Sequence, residues 1–231
     1  MEKYSRRNTY EYKIRESGFD ELQKLGFMLI GEQNDVFKRA YGNLSGVLTT
    51  KIDSGLILTF AQFYDPTLHC FMFQYFLLAP TLEEFAHIVC IPVRDQIPYM
   101  GVVGFPKVTL VAQALHLEKN LVKSNLRTKG NVKGFTSKFL FKKATLFDSS
   151  GSWDAFFVVF SLLIYGLVLF PNIERFVDKT TITIFISKNS TPTLLADVFF
   201  SFHWRNQKRG GMIHCCIPLI YKWILTHLPR R

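Results

Sequence analysis

Residues Gly151–Phe170 read GSWDAFFVVFSLLIYGLVLF and are followed at once by Pro171. From Ala155 to Phe170 there are sixteen residues without a charge. A helix that is apolar on every side has to be buried, either in a protein core or in a bilayer. Ser152 is placed to cap the free amides of the first turn, and Asp154 lies near the positive end of the helix dipole. Pro171 stops the helix, because proline disfavours helical geometry at the residue before it. Sixteen residues at about 1.5 Å each reach roughly 24 Å, short of a hydrocarbon core of roughly 30 Å. A core helix is therefore the favoured reading, with a single membrane span at Ala155–Phe170 as the alternative.

Working outward, 231 residues with 48% hydrophobic content and 23 Phe predict a folded chain with a thick apolar core. Met1–Asp20 has no apolar stretch of the kind a secretory signal needs. Cys70, Cys90, Cys215 and Cys216 accordingly read as reduced, buried thiols. The net charge of +10 is uneven: residues 101–150 carry +7 and residues 201–231 carry +6, counted as Lys and Arg minus Asp and Glu. Basic clusters of this kind suit nucleic acid, an anionic membrane surface or an acidic protein. No aromatic residues interleave with the lysines in a stacking pattern, so a merely solvated face competes with that reading.

The flanking segments predict a mainly α fold, a single compact multi-helix domain around the central apolar helix Ser152–Phe170. Met1–Arg15 reads as a frayed part of a charged, partly flexible leader over residues 1–33, and the helical domain occupies 34–229. A short helix ends at Gly26. One longer helix carries Val36, Phe37, Ala40, Tyr41, Leu44, Val47 and Leu48 at helical spacing. Asp53 or Ser54 caps the next. The alternation of Phe71, Phe73, Tyr75 and Leu77 predicts a short strand or hairpin near Cys70–Leu78. Thr81 and Glu84 have the spacing of a capping box. Val93–Phe105 reads as an irregular loop, Pro106 as the start of a helix, and Glu118–Leu126 as another. Thr128–Gly134 is a basic loop, the place where the chain divides if it divides anywhere, and Thr136 or Ser137 opens a helix. Asn172–Ile186 reads as another helix, with an extended Thr180–Ile184 as the alternative because that run is β-branched. Leu194–Trp204 and Ile213–Leu228 read as two more, the last kinked by Pro218.

Catalytic constellations are hard to assemble. His203, His214, Cys215 and Cys216 lie close in sequence but lack a C-x-x-C spacing, so no metal site is expected. Cys70 and Cys90 have no partner motif for nucleophilic catalysis. Lys138 and Lys188 each follow a serine, but no glycine-rich phosphate cup accompanies them, so no cofactor is expected. Gly101-Val102-Val103-Gly104 is too short for a dinucleotide fingerprint. Asp65, Asp178 and Asp197 are the acids a metal-dependent nuclease would use, without any diagnostic spacing. The reading is non-enzymatic.

Several segments together resemble a known family. Thr81-Leu82-Glu83-Glu84-Phe85 with Cys90-Ile91-Pro92-Val93 is similar to the TLEDV…GLPV signature of the aminotransferase-like plant mobile domain. Ser161–Phe170, Leu194-Leu195-Ala196-Asp197, Lys208-Arg209-Gly210-Gly211 and Pro218-Leu219-Ile220-Tyr221-Lys222-Trp223 follow that family's order. YDPTLHCFMFQYFLLAPTLEEF and WRNQKRGGMIHCCIPLIYKW are nearer still to a legume-expanded, transposon-related branch. The resemblance spans Val36 to Pro229 and departs from the signature where Cys90-Ile91 replaces its glycine. It implies a mostly helical, transposon-derived nuclear domain with a role in transposon silencing or gene regulation. It also implies a phosphatase-like protein partner and relatives that continue beyond this chain's end. The candidate nucleic-acid or partner contacts are Lys119, Lys123, Arg127, Lys129, Lys133, Lys138, Lys142 and Lys143, with Arg205, Lys208 and Arg209. A transposon-encoded nuclease is the further alternative.

Overall fold

The uncharged run forms a helix that changes pitch before it ends. In the computed structural model, which describes residues 7–15, 19–92, 101 and 104–228, Trp153–Ile164 is α-helical and Tyr165–Leu169 is a π-helical turn. Every side chain from Ala155 to Ile164 is buried. Phe37 packs its ring 5.7 Å from that of Phe157 and 5.3 Å from that of Phe160. In the π-helical turn Gly166 lies against Val177, where a Cβ would stand 2.5 Å from a valine methyl. Among the described residues no helix is long and apolar enough to cross a membrane, which corrects the alternative of a span at Ala155–Phe170. Ser152 makes no capping bond to the first turn, and its hydroxyl pairs with that of Ser150 instead.

The elements in chain order are β1 (Glu11–Ile14), α1 (Asp20–Phe27), α2 (Glu32–Tyr41), α3 (Leu44–Leu48), α4 (Ser54–Ala61), β2 (Tyr64–Asp65), β3 (Cys70–Met72), β4 (Leu77–Leu78), α5 (Leu82–Val89), α6 (Val108–Ala114), α7 (Lys119–Asn125), β5 (Arg127–Lys129), β6 (Val132–Thr136), α8 (Ser137–Ser149), α9 (Trp153–Ile164), β7 (Phe176–Asp178), α10 (Lys179–Ser187), α11 (Thr191–Gln207), β8 (Gly210–Ile213) and α12 (Ile217–Thr226). The protein is predominantly α-helical and compact, with three small sheets, so it is not all-α. α1, α2, α3, α8 and α10 all pack on α9.

Three caps expected from the sequence form. The Asp53 carboxylate accepts from the Leu56 amide, and the Thr136 hydroxyl accepts from that of Phe139. Thr81 and Glu84 complete a reciprocal capping box at the start of α5. Glu84 also reaches across the fold. Its Oε2 accepts from the Trp223 indole N–H at 2.9 Å, and its Oε1 lies 2.9 Å from His227 Nε2. Burial pushes the Glu84 carboxyl up, but the Thr81 amide, the Trp223 indole and His227 outweigh it and hold the carboxyl below its ordinary value.

Other expectations are corrected. The helix expected over residues 36–48 is two, because Gly42 takes a left-handed φ of 73°. A side chain there would collide with the carbonyl oxygens of Val89 and Cys90. α1 runs one residue past Gly26. Within the expected frayed leader, Glu11–Ile14 pairs in parallel with Gly210–Ile213, and Tyr12, Leu22, Leu25 and Leu29 join the core. The Thr128–Gly134 stretch divides nothing: β5 and β6 form a hairpin to which β7 adds, so the first part of the expected Asn172–Ile186 helix is extended. α12 begins at Ile217, which puts Pro218 in the first turn, where its missing N–H costs nothing. Pro106 precedes α6 without entering it. The loop expected over Val93–Phe105 lies mostly outside the described residues.

Candidate interaction surface

The basic residues of the first cluster sit on chain-consecutive elements. α7 carries Lys119 and Lys123, the β5–β6 hairpin carries Arg127, Lys129 and Lys133, and α8 carries Lys138, Lys142 and Lys143. All are exposed except Lys143, which is half-buried. Lys138 and Lys142 stand one helical turn apart on the outer side of α8, while Leu140 and Ala144 face the core. Two of the cations are fixed by the backbone. Arg127 donates to the Ser124 and Leu126 carbonyls at 2.7 and 2.9 Å, and Lys129 donates to the Glu174 carbonyl at 2.8 Å. The others form no ion pair among the described residues, where Glu84–His227 is the one such pair.

Arg205, Lys208 and Arg209 lie apart from this cluster, at the C-terminal end of α11. That helix packs mainly on α5, β2 and β8, none of which carries the first group. Arg205 is half-buried, and Lys208 and Arg209 are exposed. His214, beside β8, is held below its ordinary pKa by burial first and then by the charges of Arg205 and Arg15.

The structure also reveals what the sequence reading missed on α11. Phe200 is 66% exposed and Trp204 is 42% exposed, and their rings stack at 6.3 Å with 13° between planes. The Lys208 ammonium sits 4.9 Å from the centre of the Trp204 ring. Aromatic and basic side chains therefore do interleave, at residues 200, 204 and 208. The i, i+4, i+8 spacing was the available signal.

The residues weighed for catalysis are dispersed. Asp65 accepts from the Thr67 and Leu68 amides at 2.8 Å each, and Asp178 caps α10 by accepting from Thr181 at 2.7 Å. Asp197 is half-buried in α11, its enclosed Oδ2 without a hydrogen-bond partner, and burial of the carboxyl raises its pKa to about 7. Among the described residues no three His, Cys, Asp or Glu side chains are grouped to hold a metal ion. Burial, reinforced by Asp197, pushes the Cys215 thiol well up, and burial carries Cys216 to about 12. Thiols so raised stay protonated and are inert nucleophiles. His203 stacks on His69 at 5.2 Å. Lys138 is on the open face of α8. Cys90, expected to be buried, is exposed at the end of α5. It and Lys188, at the end of α10, take the left-handed conformation and line a cavity of about 680 Å³ with Arg39, Tyr41, His116 and Phe185. The ends of α2, α5, α6 and α10 meet there, so backbone carbonyls oppose the lining cations.

A family model described as a domain of unknown function, DUF7745, matches residues 22–231. The chain belongs to that family. Comparison with curated proteins and with solved structures gives no match. The DUF7745 match begins within α1 and takes in both basic clusters, so α1, expected to be part of a leader, falls within the family's unit.

Proposed function

We propose that this DUF7745 chain is a non-enzymatic, transposon-derived interaction domain that works in the nucleus by contacting nucleic acid, protein or both. Within this reading the Ser152–Phe170 segment, buried from Ala155 onward except at half-buried Leu167, organises one compact domain, and the basic side chains on the domain's surface make the contacts. The resemblance to the aminotransferase-like plant mobile domain supplies the biological setting: transposon silencing or gene regulation alongside a phosphatase-like partner.

One observation carries the reading. Seven exposed cations, Lys119, Lys123, Arg127, Lys129, Lys133, Lys138 and Lys142, follow one another along α7, the β5–β6 hairpin and α8. Clustered cations without acidic partners concentrate a polyanion at the surface and gain free energy from the counterions it releases. A tagged full-length chain expressed in plant cells tests this. Nuclear signal that salt extracts from chromatin supports the proposal, and signal excluded from the nucleus overturns it.

A further inference from the structure

We propose that the outward face of α11 is a stacking site for single-stranded nucleic acid, with Phe200 and Trp204 receiving bases and Lys208 and Arg209 meeting phosphates. The inference rests on the nucleic-acid reading above and adds a second, chemically different contact to it. Large rings on a helix normally turn inward, as Phe202 does on this one, because each buries a large apolar area. Phe200 and Trp204 instead remain exposed and stack on each other.

The neighbourhood selects the occupant. From residue 198 to the end of the chain there is no Asp or Glu, whereas Arg205, Lys208 and Arg209 crowd the last turn of α11 and the residues after it. Burial first, and then the charges of Arg205 and Arg15, depress the nearby His214, so cationic charge is felt at this end of the fold. A flat, exposed pair of rings beside cations fits a chain of flat rings joined by anions. Sequence-tolerant single-strand binders combine these two features, since every base offers a π-face. A duplex keeps its bases stacked on each other and could use only the cations. Lys208, now over the Trp204 ring, would move to a phosphate as a base takes its place on that ring.

The experiment measures binding of the full chain to fluorescent oligothymidylate and, separately, to a duplex of the same length. Trp204→Ala and Phe200→Ala should each weaken oligothymidylate binding roughly 5- to 150-fold. Trp204→Phe should restore most of it, and duplex binding should stay unchanged in all three. Both side chains are exposed, so the fold should survive, and thermal unfolding checks that it does. If Trp204→Ala binds oligothymidylate like the parent while duplex binding persists, the stacking site is refuted and the basic-surface reading stands. If the parent binds neither probe, both fail. Competition by a polyglutamate peptide as strong as by oligothymidylate would also overturn the proposal, since it would make this face a protein-docking surface.

Discussion

α9 and α11 are both helices rich in phenylalanine, and they use it in opposite ways. α9 turns Phe156, Phe157 and Phe160 into the core along with every neighbour from Ala155 to Ile164. α11 turns Phe202 inward but leaves Phe200 and Trp204 in solvent beside Lys208. α9 encloses one polar side-chain atom without a hydrogen-bond partner, that of the Ser161 hydroxyl, whereas α11 encloses three, among them Oδ2 of the Asp197 carboxyl. The hydroxyl is neutral at any pH, whereas the carboxyl can ionise. The difference teaches that α9 is built for stability alone, while α11 gives up apolar burial and tolerates a titratable group.

The largest expected effect separates the two helices by their rings. Phe160→Ala should cost about 3–5 kcal/mol, because it empties space within a cluster that includes Phe37 and Phe156. Phe200→Ala should change stability by less than about 1 kcal/mol, since an exposed ring buries little. Chemical denaturation of the two variants compares them directly, and equal losses would break the comparison.

A smaller effect follows from Asp197. Its folded-state pKa is raised by burial from 3.8 to about 7, so the folded protein favours the neutral acid. The associated stability is fully present below the unfolded value and is lost as pH rises through the folded one. The window is therefore pH 4 to 7, and the loss is up to roughly 4 kcal/mol by linkage. Asp197→Asn keeps the shape without the charge and should flatten that part of the profile. Unfolding midpoints of parent and variant at pH 5 and pH 8 would show it, and a parallel decline in both would assign the loss to another group.

What the sequence made legible was mostly local. The caps at Asp53, Thr81 and Thr136 depend on residues within three positions, and each one formed. The pairing of Glu11–Ile14 with Gly210–Ile213 joins the two ends of the chain, and no local pattern announces it. β6 likewise looked like a loop because its glycine and lysine suit a turn, yet β7, about forty residues on, completes its pairing. The break at Gly42 lay inside an unbroken helical periodicity. Only the close passage of the end of α5 explains why glycine is needed there. Of the candidate surface, the cations were readable one by one, but their division into two separate groups follows from packing. The Phe200–Trp204 pair was readable as spacing, and its exposure was not.

The most direct test of the nucleic-acid account is the salt dependence of duplex DNA binding by the parent and by a variant carrying Lys123→Ala, Lys133→Ala, Lys138→Ala and Lys142→Ala. The account predicts that the logarithm of the parent's binding constant falls linearly with that of the salt concentration. It predicts weaker binding by the variant, with a slope shallower by about one unit for each phosphate the variant no longer neutralises. Equal affinity and equal slope for the two proteins would contradict it and reduce the α7–α8 cluster to a solvated face.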